Sequence, residues 1–232
     1  MSTGASGFRG VVFDLDGTLI DSMPFVIGGL ATAVSPYRPR PSPEEVMSIL
    51  GGPSDACLRR LLGGRKHLAA ALATYLEFLR GSDSRMLPFR GARPLLKHLQ
   101  AASVRLGIWT GRERDSSEAR LRALSWELCF SPIVCGDDLP SHKPDPEGLL
   151  KILDLWRLKP AEVLFVGDSD QDIEGGHAAG VPMVAIDHGR RIAARLLRQA
   201  LAVAPHPAAA YVIVQRLVLA GKGLSLSDQI HA

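Results

Sequence analysis

Two aspartates spaced two residues apart, Asp14 and Asp16, end an apolar run that begins at Val11, and Gly17 follows them directly. Side chains two apart on an extended chain point the same way, so the two carboxylates project together, and Gly17 admits a turn that other residues resist. Carboxylates that close repel one another unless a cation or a shared proton offsets the repulsion. A second acidic group, Asp168-Ser169-Asp170-Gln171-Asp172, closes another apolar run. Thr110-Gly111 closes a third, offering a hydroxyl and a flexible backbone amide to an anion, and Lys143 stands in a proline-braced loop, Lys143-Pro144-Asp145-Pro146. Asp14, Asp16, Asp168 and Asp172 supply hard oxygen ligands with no thiolate or aromatic partner, a set that favours Mg²⁺ over zinc or copper. With Mg²⁺, Lys143 and the Thr110 hydroxyl in place, the site accepts a phosphoryl group that bare carboxylates would repel. One carboxylate is then a nucleophile that forms an aspartyl-phosphate, and the other gives and takes the proton.

These residues need a scaffold that gathers them. Short apolar runs at 11–15, 104–110, 133–135, 163–167, 183–186 and 211–214 read as buried strands of a parallel sheet, and helical periodicity at 94–102, 116–124, 147–156 and 192–202 falls between them. Alternation of this kind predicts an α/β fold with a doubly wound parallel sheet, whose strand ends meet in one ligand-binding crevice. Asp115 with Glu118, Asp145 before Pro146, and Ser42-Pro43-Glu44-Glu45 read as helix starts. Residues 23–86 hold no convincing strand and read as an inserted all-helical cap, which leaves 1–22 and 87–232 as the α/β core.

Composition narrows the class. The chain has 232 residues, 46% of them hydrophobic and 22% charged, with 27 Lys and Arg against 24 Asp and Glu for a net charge of +3. That suffices for a sizeable core and excludes intrinsic disorder, while 23 Gly and 16 Pro argue for many turns and against a long coiled coil or fibre. No run of five basic residues tracks a nucleic acid, the apolar residues after the polar 1–10 meet Asp14 at once and form no signal-peptide core, and no stretch approaches the ~18 residues of a membrane span. Cys57, Cys129 and Cys135 show no metal or disulfide spacing and read as buried thiols in a reducing cytoplasm. The expected partner is a small phosphorylated molecule, with no nucleic acid or membrane, and the oligomeric state is open between monomer and homodimer.

In combination, Asp14-Leu15-Asp16-Gly17-Thr18, Thr110, Lys143 and Gly167-Asp168-Ser169-Asp170-Gln171-Asp172, in that order, resemble the haloacid dehalogenase superfamily, in particular its phosphoglycolate phosphatase and β-phosphoglucomutase-like members. The resemblance spans about residues 11–214. It implies a Rossmann-like core, a helical cap that closes over the substrate, and a return hinge at Pro88-Phe89-Arg90-Gly91. It implies Asp14 as nucleophile, Asp16 as general acid and base, Thr110 with Gly111 as phosphate binders, and Lys143 as stabiliser of both nucleophile and phosphate. It also implies Mg²⁺ held by Asp14, the backbone carbonyl of Asp16, and Asp168, with Asp172 as a direct or outer support. The expected activity is a Mg²⁺-dependent phosphatase acting on a sugar phosphate, phosphoglycolate or similar monoester. The alternatives are a phosphomutase of the same build and a non-catalytic binding domain on the same fold. Many relatives follow the threonine with Asn, where this chain has Gly111-Arg112, so Arg112 has two readings: contact with a substrate anion, or a solvated residue at a helix start. Gly51-Gly52-Pro53 is either a substrate-touching cap loop or a plain turn. Arg59, Arg60, Arg65 and Lys66 read as a solvated cap face, Arg190, Arg191, Arg195 and Arg198 as an exposed helix, and 221–232 as a weakly anchored terminus.

Overall fold

In the computed structural model, which describes residues 7–50, 53–82, 85–189 and 192–220, six strands form one parallel sheet. They are β1 (Gly10–Phe13), β2 (Arg105–Trp109), β3 (Ile133–Val134), β4 (Val163–Gly167), β5 (Met183–Ile186) and β6 (Ala202–Ala204), in the order β3-β2-β1-β4-β5-β6. Alternation along each strand sends side chains to two separate cores. Val11 and Phe13 face one cluster, under α5 (Ala92–Ala101), α6 (Arg114–Ala123) and α10 (Pro207–Ala220). Val12 and Phe165 face the other, under α7 (Glu147–Trp156) and α8 (Asp170–Ala178). Both faces are therefore dry, which is why the strands read as unbroken apolar runs.

Four helices follow β1: α1 (Met23–Val34), α2 (Pro43–Ile49), α3 (Ser54–Leu62) and α4 (Leu68–Ser82). α1 packs closely on α4, and a Cβ at Gly29 would lie 2.9 Å from the Phe78 ring and 3.0 Å from the Tyr75 ring, so only glycine fits that crossing. The chain entering these helices pairs with the chain leaving them: Asp21 N donates to Leu87 O (2.9 Å) and Phe89 N to Leu19 O (3.0 Å). Arg59, Arg60, Arg65 and Lys66 are all exposed. Gly51, Gly52, Arg190, Arg191 and 221–232 lie outside the described residues. No described helix is long and apolar enough to cross a membrane.

Three expectations fail at the C-terminal end and at α6. Residues 211–214 are not a strand but part of α10, and the sixth strand is Ala202–Ala204, inside the segment expected to be helical; only a single turn, α9 (Ala194–Leu197), precedes it. Tyr-Val-Ile-Val favours a strand locally, yet buried Ala210, Tyr211, Val214 and Val218 recur at helical spacing, Pro207 starts the helix, and His206 Nδ1 accepts from Ala209 N (3.2 Å). Packing against the sheet overrides the β-propensity. The strand itself is three residues long, too short to carry a period. At α6 the N-cap is Glu113, not Asp115, and Glu113's carboxylate is turned away to another partner. Ser42 does cap α2, accepting from Glu45 N (3.2 Å), and Asp145 accepts from Glu147 N (3.0 Å) at the start of α7.

Candidate active site

The sheet ladder fixes the first two groups. Asp14 N donates to Val166 O (2.8 Å) and Thr110 N to Val134 O (3.0 Å), so each residue sits one hydrogen bond beyond its strand, held by the neighbouring strand. Gly17 turns the chain at φ +81°, and a Cβ there would strike the Asp168 carboxylate, so Asp168 rests against the bare glycine. Asp172 is placed by helix chemistry: Ser169 is the N-cap of α8 and Asp172 its third residue, each bonding the other's backbone N–H in a capping box. Asp172 Oδ2 accepts from Ser169 Oγ (2.6 Å), Ser169 N (3.0 Å) and Asp168 N (3.2 Å).

Lys143 joins the groups. Its Nζ donates to Asp14 Oδ1 (2.8 Å) and Asp172 Oδ1 (2.7 Å), and lies 4.8 Å from the Trp109 ring centroid and 5.6 Å from that of Phe165. The ammonium is thus desolvated by aromatic faces but flanked by two anions, and those anions hold it cationic, its pKa raised above the ordinary lysine value. Burial pushes the Asp14 carboxyl up to about 7; Lys143 opposes that shift and Asp172 adds to it. Oxygens of Asp14, Asp168 and Asp172 lie within 4.8 Å of one another, and all three residues are buried. Three buried carboxylates against one ammonium leave an excess of negative charge, and an all-oxygen set of this size fits a hard divalent cation.

Asp16 points elsewhere. Arg112 grips it from Nε to Oδ2 (2.9 Å) and from Nη2 to Oδ1 (2.6 Å), and the Ser22 hydroxyl adds a short hydrogen bond to Oδ1. Burial alone would raise its pKa, but Arg112 and then Ser22 outweigh that and hold it below the usual carboxylate range. Its side chain is therefore not in the acidic triad, and only its backbone carbonyl is left for the metal contact expected of it. Arg112 is 7% exposed, which overturns the reading of a solvated helix-start residue. Its third nitrogen, Nη1, donates to Ser116 Oγ (2.8 Å), and its backbone N–H to Thr110 Oγ1 (3.2 Å). Thr110 and Gly111 border the same cavity of about 270 Å³ as Asp14, Asp16, Arg112, Lys143, Asp168 and Asp172.

Other participants left no local signal. Ser22 is the N-cap residue of α1, yet its hydroxyl serves Asp16 rather than the helix. His188 donates from Nε2 to Gly17 O (2.7 Å), the carbonyl being able only to accept, and stands 3.8 Å from Asp168. Glu113 accepts from Ser54 N (2.8 Å), and Gln171 donates to Leu50 O (2.7 Å), so the starts of α6 and α8 each hold one end of the α2–α3 connection. Trp109, under Lys143, is wedged between glycines: a Cβ at Gly148 would collide with its indole, and one at Gly175 would lie 2.6 Å from its Cη2 and 3.1 Å from Pro144 O. Gly175→Ala is expected to cost about 1–3 kcal/mol of stability by overpacking and to lower turnover by displacing the Lys143 loop. Urea unfolding beside initial rates checks both.

The profile of the haloacid dehalogenase-like hydrolases matches residues 11–186. Phosphoglycolate phosphatase 1 of Pseudomonas aeruginosa is 32% identical over 198 residues, which cover 80% of this chain and 73% of that protein. Among solved structures, a hydrolase from Pseudomonas syringae superposes with a TM-score of 0.79 at 22% identity, covering 90% of this chain and 99% of its own. A Thermotoga maritima structure put forward as a β-phosphoglucomutase gives 0.73 at 22%, covering 90% and 100%. At such identities the two structures speak for the fold alone.

Proposed function

The chain belongs to the haloacid dehalogenase-like hydrolase family, and we propose that it is a Mg²⁺-dependent phosphatase of a small phosphomonoester, working through an aspartyl-phosphate on Asp14. The observation that carries this reading is the buried cluster of Asp14, Asp168 and Asp172 around Lys143 at the carboxyl ends of the strands, with Asp16 and Arg112 across the same cavity. Phosphoglycolate phosphatase 1, the relative named above, supports a phosphatase in particular.

Asp14, Asp168 and the Asp16 carbonyl would hold the metal, with Asp172 fixing Lys143 beside them. Bound there, Mg²⁺ supplies positive charge that draws the phosphoryl oxygens in and offsets the charge that develops on them. Asp14 is the nucleophile: one carboxylate oxygen bonds to phosphorus as the ester P–O bond breaks. Lys143 steadies the attacking carboxylate and the phosphoryl oxygens, and Thr110 and the Gly111 amide take further oxygens. Arg112 has donors only, so the phosphoryl group competes with Asp16 for its guanidinium. Released from that grip, Asp16 takes up a proton from solvent and gives it to the leaving alkoxide, then receives one from the water that cleaves the phosphorus bond to Asp14 and frees phosphate. Residues 23–86 act as the cap over a core of 1–22 and 87–232, with Glu113 and Gln171 as the groups that hold the closed cap to the core. Closure over the bound ester excludes water while the phosphoryl group moves to Asp14.

Phosphate release from a panel of monoesters, with Mg²⁺ and after chelation, tests the assignment. Release with Mg²⁺ that chelation suppresses at least about a hundredfold is the expected result. Conversion of a sugar 1-phosphate to its 6-phosphate without free phosphate would replace the phosphatase by a mutase.

A further inference from the structure

Beyond the reacting end, the cavity is lined by the cap helices, and its wall there is mainly apolar: Met23, Val26 and Leu30 of α1, Met47 of α2, and Tyr75 and Leu79 of α4, with Ser48 of α2, whose hydroxyl donates to Glu45 O (2.7 Å), and Ser54 and Cys57 of α3 beside them. Of the described residues that border the cavity, six are carboxylates and only two, Arg112 and Lys143, are cations. Neither cation is spare: Lys143 is shared between Asp14 and Asp172, and Arg112 between Asp16 and Ser116. None of the described cap residues that border the cavity is a cation, and Arg59, Arg60, Arg65 and Lys66 are exposed and outside its lining.

Resting on the phosphatase reading, we propose that the substrate is a phosphomonoester whose organic part is uncharged and presents an apolar face, and that esters carrying a second anion, phosphoglycolate included, are disfavoured. A carboxylate placed against this wall would be desolvated without a cationic partner and would face an excess of negative charge. An alkyl or aryl group there instead leaves water for a surface of its own kind. The volume of about 270 Å³ is near the lower end for ligand pockets and limits the organic part to a small group.

The test compares benzyl phosphate with 2-phosphoglycolate under Mg²⁺. Both release an alkoxide, so leaving-group chemistry does not set the ratio. Benzyl phosphate should be favoured in kcat/KM by at least about tenfold, the scale of burying a small apolar group. Val26→Lys should shift that ratio toward phosphoglycolate, mainly through KM. Equal or better turnover of phosphoglycolate by the wild-type protein overturns the proposal. Should neither ester be hydrolysed, binding of benzylphosphonate against phosphonoacetate to the wild-type protein separates the two ideas. Preference for benzylphosphonate keeps the cavity assignment and sinks only the phosphatase reading, and equal or tighter phosphonoacetate binding overturns the cavity assignment as well.

Discussion

Asp14→Asn is expected to lower kcat for phosphate release by at least about a thousandfold, because the amide retains the shape of the carboxylate but has no oxygen able to form the covalent intermediate. The variant should nevertheless fold. Asp14 is 6% exposed, its backbone N–H is tied to Val166 O, and neither feature depends on the side-chain charge. In metal-free protein the substitution should even stabilise. Burial raises the Asp14 pKa from the ordinary 3.8 to about 7, so the folded state holds a proton that the unfolded state has released between those values. Stability of the wild-type protein then falls as pH rises from about 4 to 7, and Asn, which does not titrate, is spared that loss. Thermal melts of both proteins in chelator should coincide most nearly at pH 4 and diverge up to pH 7, with Asp14→Asn the more stable. A constant difference across that range would show that Asp14 does not carry the buried charge. Single-turnover trapping with a radiolabelled ester checks the chemistry: label should remain on the wild-type protein after a rapid quench and be absent from the variant.

The strand-end chemistry was legible because each apolar run stops abruptly at a polar residue, and a parallel sheet gathers such stops along one edge. Asp14, Thr110, Lys143, Asp168 and Asp172 meet there for that reason, since neighbouring strands carry Asp14 and Thr110 in register and the loops after β3 and β4 follow them. What stayed hidden depends on contacts between distant segments. Arg112 and Asp16 lie 96 residues apart, and nothing near either one signals that a bidentate pair will form. The same holds for His188 on the Gly17 carbonyl and for Glu113, whose position at a helix start suggests capping while its carboxylate reaches Ser54. At the far edge, β6 is covered by α10 and lies beside β5 alone, so a three-residue Ala-Val-Ala segment suffices. Local propensity instead marked Tyr211 and its neighbours, whose bulk is needed to cover the sheet and whose hydroxyl donates to Thr18 O (2.6 Å) beneath the Asp14–Gly17 turn. That bond ties α10 to the loop that follows β1.

Lys143→Met separates structural from chemical roles, because methionine replaces the apolar stem between Trp109 and Phe165 and removes only the charge. The ammonium is 2.8 Å from Asp14 and 2.7 Å from Asp172, and all three side chains are largely buried. Breaking a buried ion pair from one side leaves uncompensated charge and costs on the order of 3–5 kcal/mol. Protonation of Asp14 relieves part of that cost, so the loss should be at the low end, about 3 kcal/mol at pH 8 and less at pH 5. Asp172 Oδ2 accepts three hydrogen bonds around the start of α8. Asp172→Asn should therefore destabilise as well, through both the cap and Lys143, and the two substitutions combined should cost less than their sum because each removes the partner of the other's orphaned charge. Mg²⁺ should restore much of the stability of Lys143→Met, a cation taking over the neutralisation of Asp14 and Asp168, while kcat stays at least about a hundredfold down because the phosphoryl oxygens still lack the ammonium. Denaturant titrations with and without Mg²⁺, beside phosphate release, read both effects. Recovery of turnover together with stability would mean that Lys143 serves only to balance charge, and would remove it from the reaction.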